Sequence, residues 1–168
     1  MMETLILIGF GVWGLYQLRG TMAENAPADK GLLMPIYTDN EKQYDLPAGL
    51  LRAIAKVESS ENPNAVNPAD PSYGLMQLLY PNNLPSVPDW PPPNKEALFN
   101  PRLNVHYAAQ ILKWNIDNYG VLRGIAIYNC WEARHSPEEG PFPNQDYVDR
   151  VMDKWGNAYK YIMDDLLS

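Results

Sequence analysis

The sequence holds a single cysteine, Cys130, so no intrachain disulfide can form and thiol usage gives no sign of the redox compartment. Its two histidines, His106 and His135, share no helical or hairpin metal-ligand spacing with Cys130, and no metal centre is expected. Basic residues are in deficit: thirteen Lys and Arg against twenty Asp and Glu leave a formal charge of −7 at pH 7. That balance excludes a phosphate-tracking surface, and with it nucleic acid as a partner. The Gly-x-Ser-x-Gly turn that would seat a serine nucleophile is missing. No segment of useful length alternates apolar and polar residues as a half-buried strand would, and there is no internal repeat.

What is present is enough apolar material for one globular domain with some length to spare: 168 residues, 46% of them hydrophobic. Residues 4–18 form an apolar run that falls somewhat short of the ~20 residues of an unaided membrane span. No Lys or Arg precedes it, which is unlike the start of a secretory signal. It reads as an uncleaved anchor, with a cleaved signal and a buried packing helix as alternatives. Residues 1–19 are therefore expected to be a hydrophobic anchor or signal-like helix, 20–40 a linker rich in Ala, Pro, Asn, Asp and Gly, and 41–168 the working domain.

Within that domain the expected fold class is all-α with little or no sheet. A helix opens at Leu46-Pro47 with Asp45 near its cap and stops at Asn62-Pro63. Residues 64–71 are turn-rich, 72–79 are compact and apolar, and 81–94 carry six prolines that forbid a regular helix. Asn100-Pro101 starts the next helix, with Leu103, Tyr107 and Ile111 toward the core until Gly120. A short helix over 121–129, a loop over 135–143 and a last helix over 145–162 complete the chain, the last burying Val148, Val151, Met152 and Trp155.

One carboxylate is out of place. In the helix ending near Ser60 the apolar stripe is Leu50, Leu51, Ile54 and Ala55, and Glu58 falls on that same face, four residues after Ile54 and three after Ala55. Burial and the negative end of the helix dipole both raise a carboxyl pKa, which makes a proton donor. The alternative is a solvated helix end or a buried pair with arginine. Glu61 serves as the control, an ordinary exposed carboxylate beyond the helix.

Around Glu58 an ordered series appears: Glu58-Ser59, Asn62-Pro63-Asn64-Ala65, Tyr73-Gly74-Leu75-Met76-Gln77, Asn100-Pro101 with Asn104, Tyr128-Asn129, and Tyr147-Val148. Taken in order over residues 46–161, it resembles the soluble lytic transglycosylase family with its lysozyme-like fold. The resemblance implies cleavage of the β-1,4 bond between N-acetylmuramic acid and N-acetylglucosamine in peptidoglycan, without water as the attacking group. Glu58 matches the family's catalytic glutamate. It would protonate the glycosidic oxygen and then take the proton of the muramyl C6 hydroxyl, leaving a 1,6-anhydro end. Ser59, Gly74, Met76, Gln77, Tyr128, Asn129 and Tyr147 would bind substrate, Tyr128 matching the tyrosine whose hydroxyl lies close to that glutamate. Read without the family, Met76 could fill the core, Tyr147 pack a helix, Gly74 serve a turn and Ser59 cap one. No cofactor is implied.

The sequence departs from the family where Ala-Gly usually follows Tyr-Asn; here Cys130-Trp131 stand. Two rival functions remain open. A goose-type lysozyme would hydrolyse the same bond with a second carboxylate, for which Asp70 is the nearest candidate, and an inactive wall-binding module would keep the cleft alone. The expected partner is the peptidoglycan glycan strand, with membrane contact through residues 4–18. The expected setting is the periplasmic side of the cell envelope, anchored or exported, or a phage virion, within a larger virion, secretion or conjugation assembly.

Overall fold

The computed structural model describes residues 30–81 and 91–156. The apolar segment 4–18, residues 82–90 of the proline-rich stretch and the expected helical residues 157–162 lie outside them. No helix among the described residues is long and apolar enough to cross a membrane.

Five α-helices and one small sheet make up the described part. The first, α1 (Lys30–Gln43), corrects the expected linker over residues 30–40. Pro35 and the flanking Gly and Asp hide a sound helical stripe, in which Leu33, Ile36, Tyr37 and Asn40 recur at three-to-four spacing and all are buried. Helix α2 (Leu50–Ser59) starts later than Leu46-Pro47 and is not capped by Asp45. Gly49 holds its N-cap in a left-handed conformation without a side-chain cap of its own. Instead the carboxylate of Glu41, from α1, accepts hydrogen bonds from the backbone N–H groups of Gly49 at 2.9 Å and Leu51 at 3.0 Å. Two of the orphan donors at the start of α2 are thereby satisfied by a neighbouring helix.

The chain leaves α2 through Ser60 and Glu61, both at positive φ, and enters three two-residue strands: β1 (Val66–Asn67), β2 (Ser72–Tyr73) and β3 (Leu78–Leu79). They pair antiparallel in that order, Val66 with Tyr73 and Ser72 with Leu79. A 3-10 turn, Lys95–Phe99, leads into α3 (Pro101–Tyr119), where the Asn100 side chain accepts from Arg102 N and Leu103 N as the Asn-Pro start predicts. Tyr107 is buried in α3 as expected, but the core stripe is broader than the expected one. Asn104, Val105, Ala108, Leu112 and Asn115 are buried, while Leu103 and Ile111 are half-exposed beside them. Helix α4 (Val121–Asn129), the 3-10 turn Trp131–His135 and α5 (Gln145–Trp155) follow. Gly156, at φ 68°, ends α5.

Helix α2 lies at the centre, packed on α5 and α1, while α3 packs on α4 and α1. Leu50, Leu51, Ile54 and Ala55 are fully buried, as their spacing predicts, and so is Val151 of α5 against them. The last turn of α2 is consequently held from several sides.

Candidate active site

That last turn carries Glu58. The stripe that buries Ile54 and Ala55 also carries this carboxyl inward, so it sits half-buried between α2 and α5. Burial raises its pKa to about 7, against the pull of a hydrogen bond from Tyr147 and the positive charge of Arg150. The Tyr147 hydroxyl, from the first turn of α5, donates to Glu58 Oε1 at 2.7 Å. With Oε1 occupied as an acceptor, Oε2 is left to hold a transferable proton. A carboxyl with a pKa near neutrality populates both forms, so the same group can give a proton and later take one.

Tyr128, near the end of α4, faces the same carboxyl, whose charge adds to burial in holding the phenol well above its ordinary pKa. Its hydroxyl donates to the Met76 carbonyl at 2.8 Å. This fastens α4 to the turn made by Tyr73-Gly74-Leu75-Met76-Gln77. Asn104, buried inside α3, organises that turn. Its Oδ1 accepts from Met76 N at 2.8 Å, and its Nδ2 donates to Tyr73 O at 2.9 Å and Leu98 O at 3.0 Å. A Cβ at Gly74, whose φ is 79°, would lie 2.2 Å from Leu98 O and 2.5 Å from Asn104 Nδ2, so no other residue fits there without displacement.

Of the residues expected to bind substrate, Tyr147 and Tyr128 gather around Glu58, Ser59, Gly74, Met76 and Gln77 build the frame, and Asn129 stands apart from both. Ser59 Oγ donates within reach of Leu75 O at 2.8 Å and Ala55 O at 3.1 Å, tying the glutamate's own helix to the turn. Gln77, at φ 47°, donates through Nε2 to Gly74 O at 2.9 Å and Ala65 O at 3.3 Å. Met76 departs from its expected place in the cleft lining. Its side chain is wholly buried, and what it offers the site is the carbonyl that anchors Tyr128. Asn129 is exposed, its Oδ1 accepting from Asn144 Nδ2 at 3.0 Å.

Glu61 is not the exposed control expected of it. It is buried, with Oε1 3.1 Å from Arg52 Nε, because the two left-handed residues at the end of α2 fold it back along that helix. Neither Arg150 nor Glu41 stands out in the sequence as a support residue, and Asn104 stands in the ordered motif series without a role assigned to it. For Asn104 a signal existed, since a polar residue within an apolar stripe is the same anomaly that singles out Glu58. Asp70 is exposed in the turn between β1 and β2.

A family model described as the Transglycosylase SLT domain matches residues 36–151. The chain belongs to the SLT domain family. The SLT domain is 33% identical over 103 residues to Protein IpgF of Shigella flexneri and, to the same degree, to that of Shigella sonnei. The match covers 58% of this chain and 64% of either relative, so the chain spans less than two thirds of their length. Among solved structures, it resembles an inactive glutamate-to-glutamine variant of the lytic transglycosylase Slt from Pseudomonas aeruginosa, with a TM-score of 0.58 at 18% identity over 80% of this chain and 24% of that one. The 70 kDa soluble lytic transglycosylase from Escherichia coli gives a TM-score of 0.50 at 21% identity over 76% of this chain and 24% of that one. At those identities the likeness establishes the fold, a lysozyme-like helical domain with a small sheet.

Proposed function

We propose that this SLT domain is a peptidoglycan lytic transglycosylase that cleaves the bond between N-acetylmuramic acid and N-acetylglucosamine with Glu58 as its sole acid/base. The observation that carries the reading is the pairing of Glu58, at a pKa of about 7, with the Tyr147 hydroxyl. In the first step protonated Glu58 gives its proton to the glycosidic oxygen as the bond to the muramyl C1 breaks. In the second the resulting carboxylate takes the proton of the muramyl C6 hydroxyl while O6 bonds to C1, closing the 1,6-anhydro ring. Glu58 ends protonated, and the departing sugar keeps the first proton. Tyr147 orients the carboxyl through both steps, and Tyr128 is fixed beside it through Met76 O.

Two-carboxylate glycosidases hold their second group within roughly 5–9.5 Å of the first. Among the described residues the side chains that act on Glu58 are a phenol and a guanidinium, Tyr147 and Arg150, and the single-carboxylate route is the one we propose over hydrolysis. The inactive Slt variant carries a glutamate-to-glutamine exchange, in keeping with this assignment. A wall-cutting role suits the periplasmic side of the envelope or a virion, where local opening of the glycan mesh would serve a larger assembly. The test is Glu58→Gln on purified sacculi. Muropeptide release should fall about 10³-fold while the protein still binds the sacculus; undiminished release removes Glu58 from its role.

A further inference from the structure

Directly after Tyr128 and Asn129, the chain places Cys130 and then Trp131 at the head of a 3-10 turn. Trp131 is 51% exposed and is the one aromatic among the large hydrophobic side chains that stand in solvent in the described part. It is not loose. Its indole lies 21° from the plane of Trp114 with centroids 6.4 Å apart, and Tyr119 braces Trp114 edge-on at 5.9 Å. Atoms of fully overlapped rings meet at about 3.5–4 Å. A separation of 6.4 Å at so small an angle is therefore a lateral offset that leaves much of the Trp131 ring uncovered.

The guanidinium of Arg134 lies over the ring, 4.4 Å from its centroid, with Nη1 donating to the Trp131 carbonyl at 3.4 Å, and so steadies the indole while about half of the side chain stays exposed. Asn129, two residues before Trp131, is exposed, and with its Oδ1 accepting from Asn144 its amide nitrogen is the donor it offers a ligand. From Tyr128 to Trp131 the chain can span at most about 11 Å. The backbone of Trp131 therefore lies within that distance of the end of α4, which carries Tyr128.

We infer that Trp131, with Asn129 and Arg134, forms a carbohydrate subsite that extends the Glu58 cleft and holds a pyranose unit away from the bond being cleaved. A pyranose has an apolar C–H face and a rim of hydroxyl and acetamido groups. A fixed, half-exposed indole suits the first, and the amide of Asn129 and the guanidinium of Arg134 suit the second. Such a subsite adds a strand-length preference to the action of this chain. The inference rests on the glycan-cleaving function proposed above.

The test uses the full chain carrying Glu58→Gln, so that glycan is bound without being cut, and glycan strands from which an amidase has removed the peptide stems. Adding Trp131→Ala should weaken binding by about tenfold or more, with Trp131→Phe in between. In the active chain, Trp131→Ala should raise KM on long strands more than it lowers kcat. Binding of stripped strands that is unchanged in both variants overturns the subsite, as does a loss seen only when the peptide stems are present. Should the unmodified chain fail to cut sacculi, the proposed function falls, while the binding comparison still decides the subsite.

Discussion

Helix α2 has a carboxylate at each end, and the two have been given opposite surroundings. Glu41 meets the N-terminal end, where two backbone N–H groups donate to it and the helix dipole is positive. Glu58 stands about 12 Å farther along, where the dipole is negative and one phenol donates to it. Burial pushes both carboxyls up. At Glu41 the two donated bonds offset part of the rise, and the group is used to hold α1 on α2. At Glu58 burial prevails over the one phenol, and the carboxyl is left near pH 7, ready to exchange a proton. Burial and the donors a carboxylate meets together set its use.

The sharpest break of this comparison is at Glu58 itself. Because its pKa in the fold is raised from 4.5 to about 7, the folded state favours the protonated form. Its contribution to stability is fully present below pH 4.5 and is lost as pH rises through about 7. Glu58→Gln is expected to abolish that loss, so that denaturant unfolding at pH 5 and pH 8 gives closer stabilities in the variant than in the parent. Tyr147→Phe comes next. It removes the bond that pulls the pKa down, so the fall in kcat on the alkaline side should move to higher pH, while rate at the optimum drops about tenfold as the carboxyl loses its orientation.

At the other end, Glu41→Gln should cost about 1–3 kcal/mol of stability by weakening two buried acceptor contacts. Thermal unfolding would show this, and the alkaline limb of the pH profile should stay where it is. Arg150→Met gives the smallest effect. Arg150 is exposed, its guanidinium 5.9 Å from the centroid of the Tyr147 ring, and solvent screens its pull on Glu58. A shift of the same sign as in Tyr147→Phe, but smaller, is expected in the pH dependence of kcat.

Much of this was legible where local rules govern. The Asn100-Pro101 helix start, the buried stripe of α2 and the inward place of Glu58 all follow from spacing and capping. Local rules failed where distant contacts take over. Asp45 looked like a cap, but the donors of α2 are served by Glu41 from another helix. Glu61 looked solvated, yet two positive-φ residues turn it back to Arg52. The stripe of α1 is obscured by Pro35 and the loop-forming residues around it, whose composition is that of a linker. Met76 was expected to touch substrate because of its neighbours; its burial follows from the turn that Asn104 and Gly74 impose, which no spacing within that segment encodes.

The claim that one carboxyl performs both proton transfers, with the muramyl C6 hydroxyl as the attacking group, is tested most directly by digesting purified sacculi in heavy-oxygen water and weighing the released muropeptides. The account predicts 1,6-anhydro ends with no heavy oxygen incorporated. Reducing ends that carry the label would mean that water attacks, and would contradict it.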